Sequence, residues 1–494
     1  MVVSWDCFDT LIGRSYVYPR SIFDIISEKT KDKNFTHNRI DAEKRVKEKT
    51  LKNIYKLLAN HNPELELTVE KEYSFPIIEN FNRIKDGDII VSDTYLSDKE
   101  LWDLLKYHGL NKKVSIYTSY GNKANGEIWE KIFLRHKIDY HIGDNLFSDV
   151  LQPRTKAIKT IFYPRSQLSY HEKYIEKYNR YLSYWIRQLR LSNPYFGPNQ
   201  ILITDTCSYQ YLFSYSWIKE TNGKIEILDD KPLLDKDDIN WENRWSDRSR
   251  DGNRMLWDEQ SSFNTPILIL IALGLPSIKQ IVFMMRDSFY LHKIYENITG
   301  NKADLVHANR KSLNWPYNNE YLIYLINSLS DKLVVDLHGT GRSLINFCSN
   351  YNINCDKLFV SEHCDFNSKN PELSHFGNCF NNMIDETLFS TRNHHNKKAS
   401  IAGKKCCVGT ILEKFNIINS GKLYGWSDNQ PLRKKNEHDN ETCNIFYNCI
   451  NKALEISNNY IKKINYDEKL LQNLLLNIYN SKTYVNDTIH SLWD

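Results

Sequence analysis

The sequence holds no Cys-x-x-Cys pair, although it has 10 cysteines in 494 residues. Eight of them lie after residue 340, and none has a spacing that suits a tetrahedral zinc site. Reduced thiols in a cytoplasmic setting are therefore expected. There is also no excess of one charge. The 65 Lys and Arg face 61 Asp and Glu, a net charge of +4, which gives no electrostatic footing for a nucleic-acid partner or a membrane surface. No long apolar run exists. The most lipid-like stretch, "PILILIALGLP" from Pro266 to Pro276, is about half the ~20 residues a bilayer span requires, so it predicts a buried helix and no membrane span. No signal peptide is expected, because Asp6 and Asp9 interrupt the N-terminal apolar run at once. No internal repeat is found, and composition sets no oligomeric state. What remains is 41% hydrophobic and 26% charged, the balance of an ordinary globular protein. At roughly 100–200 residues per domain, the length predicts about two to four domains.

Residues 1–168 alternate strand and helix signals. "VVSWD", "DIIVSD", "VSIYTS", "IDYHIGD" and "AIKTIFYP" read as five strands, with "KELWDLLKYHG" and "GEIWEKIFLRH" as helices between them. This alternation predicts an α/β fold with a doubly wound parallel sheet. Residues 15–85 carry Lys, Glu, Leu and Ile at helical spacing, and "SIFDIISEK" and "EKRVKEKTLKNIYKLLANH" each read as one helix. That run is too long for a simple crossover and predicts an inserted helical cap. Residues 169–200 read as a helical linker, 201–400 as a second α/β domain, and 401–494 as mostly helical, with two amphipathic helices within 441–480. Residues 229–262 are expected to form a long polar surface loop, and 390–440 to be irregular.

Four features of the first domain fall at strand ends. Asp6 ends the first strand and Ser92 the second; Lys123 precedes a helix; Asp144 and Asp149 follow the fourth strand. The carboxyl ends of the strands in an open parallel sheet line one crevice, so these groups are expected to converge. Their types suit phosphoryl chemistry. An aspartate serves as nucleophile, a hydroxyl and an ammonium hold phosphoryl oxygens, and paired carboxylates hold Mg²⁺. Asp9 has a plain structural reading as well, as a cap on the turn after the strand. Cys7 is expected to point into the sheet packing.

The ordered set resembles the haloacid dehalogenase-like (HAD) superfamily, largely phosphatases and phosphotransferases. "SWDCFDTL" looks like its first motif, "VSD" its second, Lys123 its third and "GDNLFSD" its fourth. The stretches "FDTLIGRSYVYPRSIF", "NPYFGP" and "FMMRDSFYLHKIY" are similar to a bacterial branch of predicted HAD hydrolases linked to surface-polysaccharide genes. The resemblance implies a Rossmann-like fold, with Asp6 as nucleophile and Thr10, Ser92 and Lys123 as catalytic partners. It also implies Mg²⁺ held by Asp6, the Phe8 carbonyl, Asp144 and Asp149, and a small phosphorylated substrate, sugar- or nucleotide-linked. One position departs from the pattern. The family's acid/base aspartate falls at Phe8, which moves no proton, and Asp9 takes a place usually held by glycine. Three readings follow: Asp9 swings in as acid/base, the substrate has a good leaving group, or the site binds phosphate without turnover, as in a binding protein for polysaccharide assembly.

In the second half, "KLVVDLHGTGRSL" sets a strand and Asp336 before Gly339, Thr340, Gly341, Arg342 and Ser343 and a helix, the makings of a phosphate cradle. It resembles the ribose-phosphate loop of type I phosphoribosyltransferases, and Arg286 stands where that fold's pyrophosphate loop would stand. The loop normally opens on two acids. Val335 replaces the first, which argues against phosphoribosyl transfer by this domain alone.

Overall fold

A computed structural model describes residues 2–16, 18–58, 61–166, 170–195, 217–221, 224–228, 248–276, 280–285, 287–339, 341–362, 408–434, 440–480 and 485. The chain divides into two compact units: Met1–Lys173 with Arg190–Pro232, and Tyr174–Leu189 with Leu233–Asp494.

The first unit is built on five short strands, four of which run into a polar residue or glycine. They are β1 (Val3–Trp5), β4 (Ile89–Asp93), β5 (Ser115–Ser119), β6 (Tyr140–Gly143) and β7 (Lys159–Phe162), with β2 (Ile12–Arg14) and β3 (Ser74–Pro76) lying apart from the sheet. The five pair in parallel in the order β5-β4-β1-β6-β7. By order of appearance this is 3-2-1-4-5, the doubly wound, Rossmann-like arrangement, in which right-handed crossovers place helices on both faces. The crossover helix α6 (Asp98–Tyr107) starts at a capping box: the Ser97 hydroxyl accepts from the Glu100 N–H, and the Ser97 N–H donates to Glu100 at 2.7 Å. The strand order reverses between β1 and β6, which opens a crevice at their carboxyl ends. The Asp6 N–H still donates to the Ile142 carbonyl at 2.8 Å, so Asp6 leaves the sheet at the edge of that crevice.

Between β1 and β4 the chain makes a helical insertion. β2 and β3 pair antiparallel at its base. Gly13 is required there, because a Cβ would come within 2.6 Å of the Phe75 ring. The insertion carries α1 (Ser21–Thr30), α2 (Phe35–Arg45), α3 (Leu51–Tyr55) and α4 (Pro63–Glu72), followed by α5 (Ile78–Phe81). These helices gather around a fully buried guanidinium. Arg39 donates to both Glu66 oxygens at 2.8 and 2.9 Å and to Glu43 at 2.9 Å, and lies over the Phe23 ring. The single helix expected over "EKRVKEKTLKNIYKLLANH" is broken. α2 stops before Val46, which is extended, and Thr50 caps α3 through the Asn53 N–H. Lys44, Lys47 and Lys49 crowd this stretch, and Lys49 bonds the last carbonyls of α2 instead of extending the helix.

The second unit holds a four-stranded parallel sheet in the order β11-β10-β12-β13, from β10 (Ile281–Met284), β11 (Asp304–Val306), β12 (Leu333–Gly339) and β13 (Asp356–Glu362). The helix Thr265–Gly274 is buried along its length, as its apolar run predicts. No helix of the described residues is long and apolar enough to cross a membrane. Two expectations are corrected in part. Residues 229–247 of the expected surface loop lie outside the described residues, but the rest is helical over Arg248–Glu259 and continues as a π-helix, Gln260–Asn264, with Trp257 buried and bonded to the Leu189 carbonyl. The 390–440 segment contains a hairpin, Leu423–Ser427 with Gln430–Arg433, whose turn residues Asp428 and Asn429 both take positive φ, as a tight hairpin turn requires. The two expected C-terminal helices are Asn440–Ile456 and Glu468–Asn480.

Candidate functional site

The residues that end β1, β4 and β6 line one cavity of about 350 Å³, together with residues of the helical insertion. Asp6, Phe8, Asp9, Ser92, Lys123, Asp144 and Asp149 all face it, so the first-domain residues singled out in the sequence meet, and Thr10 stands just behind them. The Thr10 hydroxyl lies 3.3 Å from Asp6 Oδ2 and 3.4 Å from Asp144 Oδ1, where its one proton serves either carboxylate.

Lys123 is the buried cation of this cluster. Its ammonium pairs with Asp6, sits 2.5 Å from Asp149 Oδ1, and donates to the Val91 carbonyl at 3.0 Å. The loop that delivers it is tied down by Asp93, whose two oxygens accept the Lys123 and Ala124 N–H groups. Asp149 is fully committed to the protein. Its Oδ1 meets Lys123 and His141, and its Oδ2 accepts the Asn145 N–H at 2.9 Å. Gly143 makes room for it, since a Cβ there would overlap the Asp149 carboxylate. His141 lies beneath, with Nδ1 2.8 Å from the Ser4 hydroxyl and its ring edge-on to Trp129. Burial holds its imidazole down at about 4, so it is neutral near pH 7 and adds no charge.

The charges do not balance. Three carboxylates face one ammonium, with Asp6 and Asp149 buried and Asp144 half-buried. Burial drives Asp144 well above the usual carboxylate range, and Asp6, Asp9 and Asp149 push it further. Burial likewise raises Asp6, opposed by Lys123 and reinforced by Asp149. Burial would raise Asp149 too, but Lys123 and His141 outweigh it and hold that group low. The cluster therefore favours a proton or a cation near Asp6 and Asp144. One oxygen each of Asp6, Asp144 and Asp149 lies within 4.8 Å of the others. An all-oxygen, carboxylate-rich set of this kind fits a hard divalent ion such as Mg²⁺. Both Asp149 oxygens have protein partners, and the Asp6 oxygens meet Lys123 and Thr10.

Phe8 and Asp9 occupy the lip. Asp9 has φ 61°, a left-handed conformation that favours glycine and that aspartate tolerates better than most residues. Its carboxylate is held by the Arg14 guanidinium at 2.8 Å, and Arg14 in turn lies 4.6 Å over the Phe8 ring. Arg14, His141 and Asp93 were not picked out from the sequence. Asp93 had a signal, since it directly follows Ser92 at a strand end. Arg14 and His141 had none, because their partners are set by the fold.

In the second unit, β10 and β12 are neighbours where the strand order reverses, which brings the segments after them together. The Leu337 N–H donates to the buried Ser288 hydroxyl at 3.1 Å, linking Asp336 in β12 to the turn after β10. Gly339 ends β12, Gly341 takes φ 68°, and the helix Arg342–Asn350 begins behind it, with Ser343 in its first turn. Arg286 and Thr340 lie outside the described residues. A scan against protein-family models and a search of curated proteins both return no match for this chain.

Proposed function

We propose that this chain is a HAD-type, Mg²⁺-dependent phosphohydrolase or phosphotransferase acting on a small phosphorylated metabolite, sugar- or nucleotide-linked. The observation that carries the proposal is the meeting of Asp6, Ser92, Lys123, Asp144 and Asp149 around one cavity at the switch point of a parallel sheet. An Asp6 oxygen attacks phosphorus and the bond to the leaving oxygen breaks, forming an aspartyl-phosphate. Attack by water or an acceptor hydroxyl then restores the Asp6 carboxylate and carries the phosphoryl group away. Lys123 and Ser92 hold the phosphoryl oxygens, and Thr10 orients Asp6. Asp6, Asp144 and the Phe8 carbonyl, with Asp149 in support, would hold Mg²⁺, which would supply positive charge to offset what a phosphoryl dianion brings to three carboxylates. The helical insertion acts as a cap that excludes water.

Phe8 supports a second reading, a phosphate-binding protein for polysaccharide assembly that has lost turnover. Asp9, the nearest replacement acid, is tied to Arg14. Phosphate release from a panel of phosphoesters and acyl phosphates, measured with Mg²⁺ beside Asp6→Asn, separates the two. Release by the native protein alone supports the enzyme; equal release on every substrate overturns it.

A further inference from the structure

The second unit carries a thiol pair unrelated to the carboxylate cluster. Cys348 and Cys355 stand with their sulfurs 3.5 Å apart. Cys348 sits in the last turns of the helix Arg342–Asn350, buried against Leu344 and Phe347. Cys355 lies just before β13 and is half-buried, the more exposed thiol of the pair. The chain reverses between them through Asn352, at φ 54°. Lys357 Nζ donates to the Cys355 carbonyl at 3.0 Å, which keeps an ammonium beside the thiol. The hydrogen bond with Cys348, and then Lys357, outweigh burial and draw the Cys355 thiol down to about 7. By contrast, burial pushes the Cys7 and Cys449 thiols well up, and Cys443 is also buried.

An accessible thiol biased towards thiolate, with a second thiol already touching it, is the arrangement of an attacking and a resolving cysteine. We infer that Cys348 and Cys355 form a reactive dithiol that low-molecular-weight disulfides oxidise to an intrachain disulfide. The Cys355 thiolate attacks one sulfur of the small disulfide. The S–S bond breaks, and the departing thiolate takes up the proton that Cys355 gave to solvent. The Cys348 sulfur, losing its own proton, then attacks the Cys355 sulfur and expels the second small thiol. Two protein thiols and one small disulfide become one protein disulfide and two small thiols. Bond formation needs the sulfurs at ~2.05 Å, so they must approach by roughly 1.5 Å. Cys355 lies outside helix and strand and is free to make that adjustment.

The test uses the full chain in mixtures of oxidised and reduced glutathione, followed by alkylation and non-reducing peptide mapping. The expected oxidised product is the Cys348–Cys355 cross-linked peptide. Cys348→Ser, or Cys348→Ala should the serine fold poorly, is expected to retain glutathione on Cys355, because nothing resolves the mixed disulfide. Cys355→Ser is expected to leave Cys348 unmodified. In the native protein Cys355 is expected to alkylate about tenfold faster than Cys443 or Cys449. Glutathione persisting on Cys355 of the unaltered protein, or alkylation no faster than at the two buried thiols, would overturn the inference.

Discussion

Lys123→Met is expected to lose about 3–5 kcal/mol of stability in metal-free buffer, the usual cost of leaving buried charge without its partner. Lys123 is almost fully buried, and its ammonium faces Asp6 and Asp149 directly. Methionine fills the stem's volume but leaves three carboxylates with no cation among them. They respond by taking up protons. Asp149, which Lys123 helps hold low, rises, and Asp6 and Asp144 rise further above their ordinary value of 3.8. In the variant the folded state therefore binds more protons than the unfolded chain once the pH passes that value, and stability falls as pH increases. The deficit relative to the native protein is smallest near pH 4 and grows towards pH 7. Urea midpoints across that range measure it. Added Mg²⁺ is expected to recover part of the loss, since it neutralises the same carboxylates. A midpoint equal to that of the native protein at pH 7 would mean that the carboxylates are neutral or hydrated and that Lys123 is not their counter-charge.

The second large effect concerns Phe8. Without a carboxyl group at that position, the native protein is expected to discriminate steeply by leaving group. Acyl phosphates, whose carboxylate departs without a proton, should be processed, and alkyl phosphates should lag. General acid help is worth roughly 10²–10⁴ in rate, so Phe8→Asp is expected to raise turnover of alkyl phosphates by about 10² or more and to leave acyl phosphates little changed. The ring of Phe8 supports Arg14, so the variant's thermal midpoint should be recorded alongside. Parallel slopes of rate against leaving-group acidity for the two proteins would show that proton transfer at this position does not limit the reaction. Uniform inactivity of both would favour the phosphate-binding reading.

The fold of the first unit was largely legible because most of its sheet strands are short runs that end at Asp, Ser or Gly. β1, β4 and β6 each carry a cavity-lining residue at or just after that end, so reading the strands located Asp6, Ser92 and Asp144 together. The helical insertion was legible from its length and its helical spacing. Its internal breaks were not: the stop at Val46 depends on how Thr50 and Lys49 bond the backbone, and helical spacing runs on through it. β2 and β3 are three residues each, too short to show a period. The Asp428-Asn429 turn did carry a signal, two residues tolerant of positive φ between short strands. Contacts across long separations were beyond reach. Nothing in the spacing of Ser4, His141 and Asp149 says that they join in one hydrogen-bonded chain, and even the local clamp of Arg14 on Asp9 depends on the turn between them. The second unit shows the same limit. Its sheet order brings Leu337 to the Ser288 hydroxyl, but the glycine turn alone does not define a ligand.

The central claim is that Asp6 accepts a phosphoryl group beside a metal ion. Calorimetric titration with beryllium fluoride, a mimic of the phosphoryl group, tests it without any knowledge of the substrate. Binding is expected only when Mg²⁺ is present, and is expected to vanish in Asp6→Asn, which keeps the shape and removes the attacking charge. No binding to the native protein in Mg²⁺, or equal binding by the Asp6→Asn variant, would contradict the account.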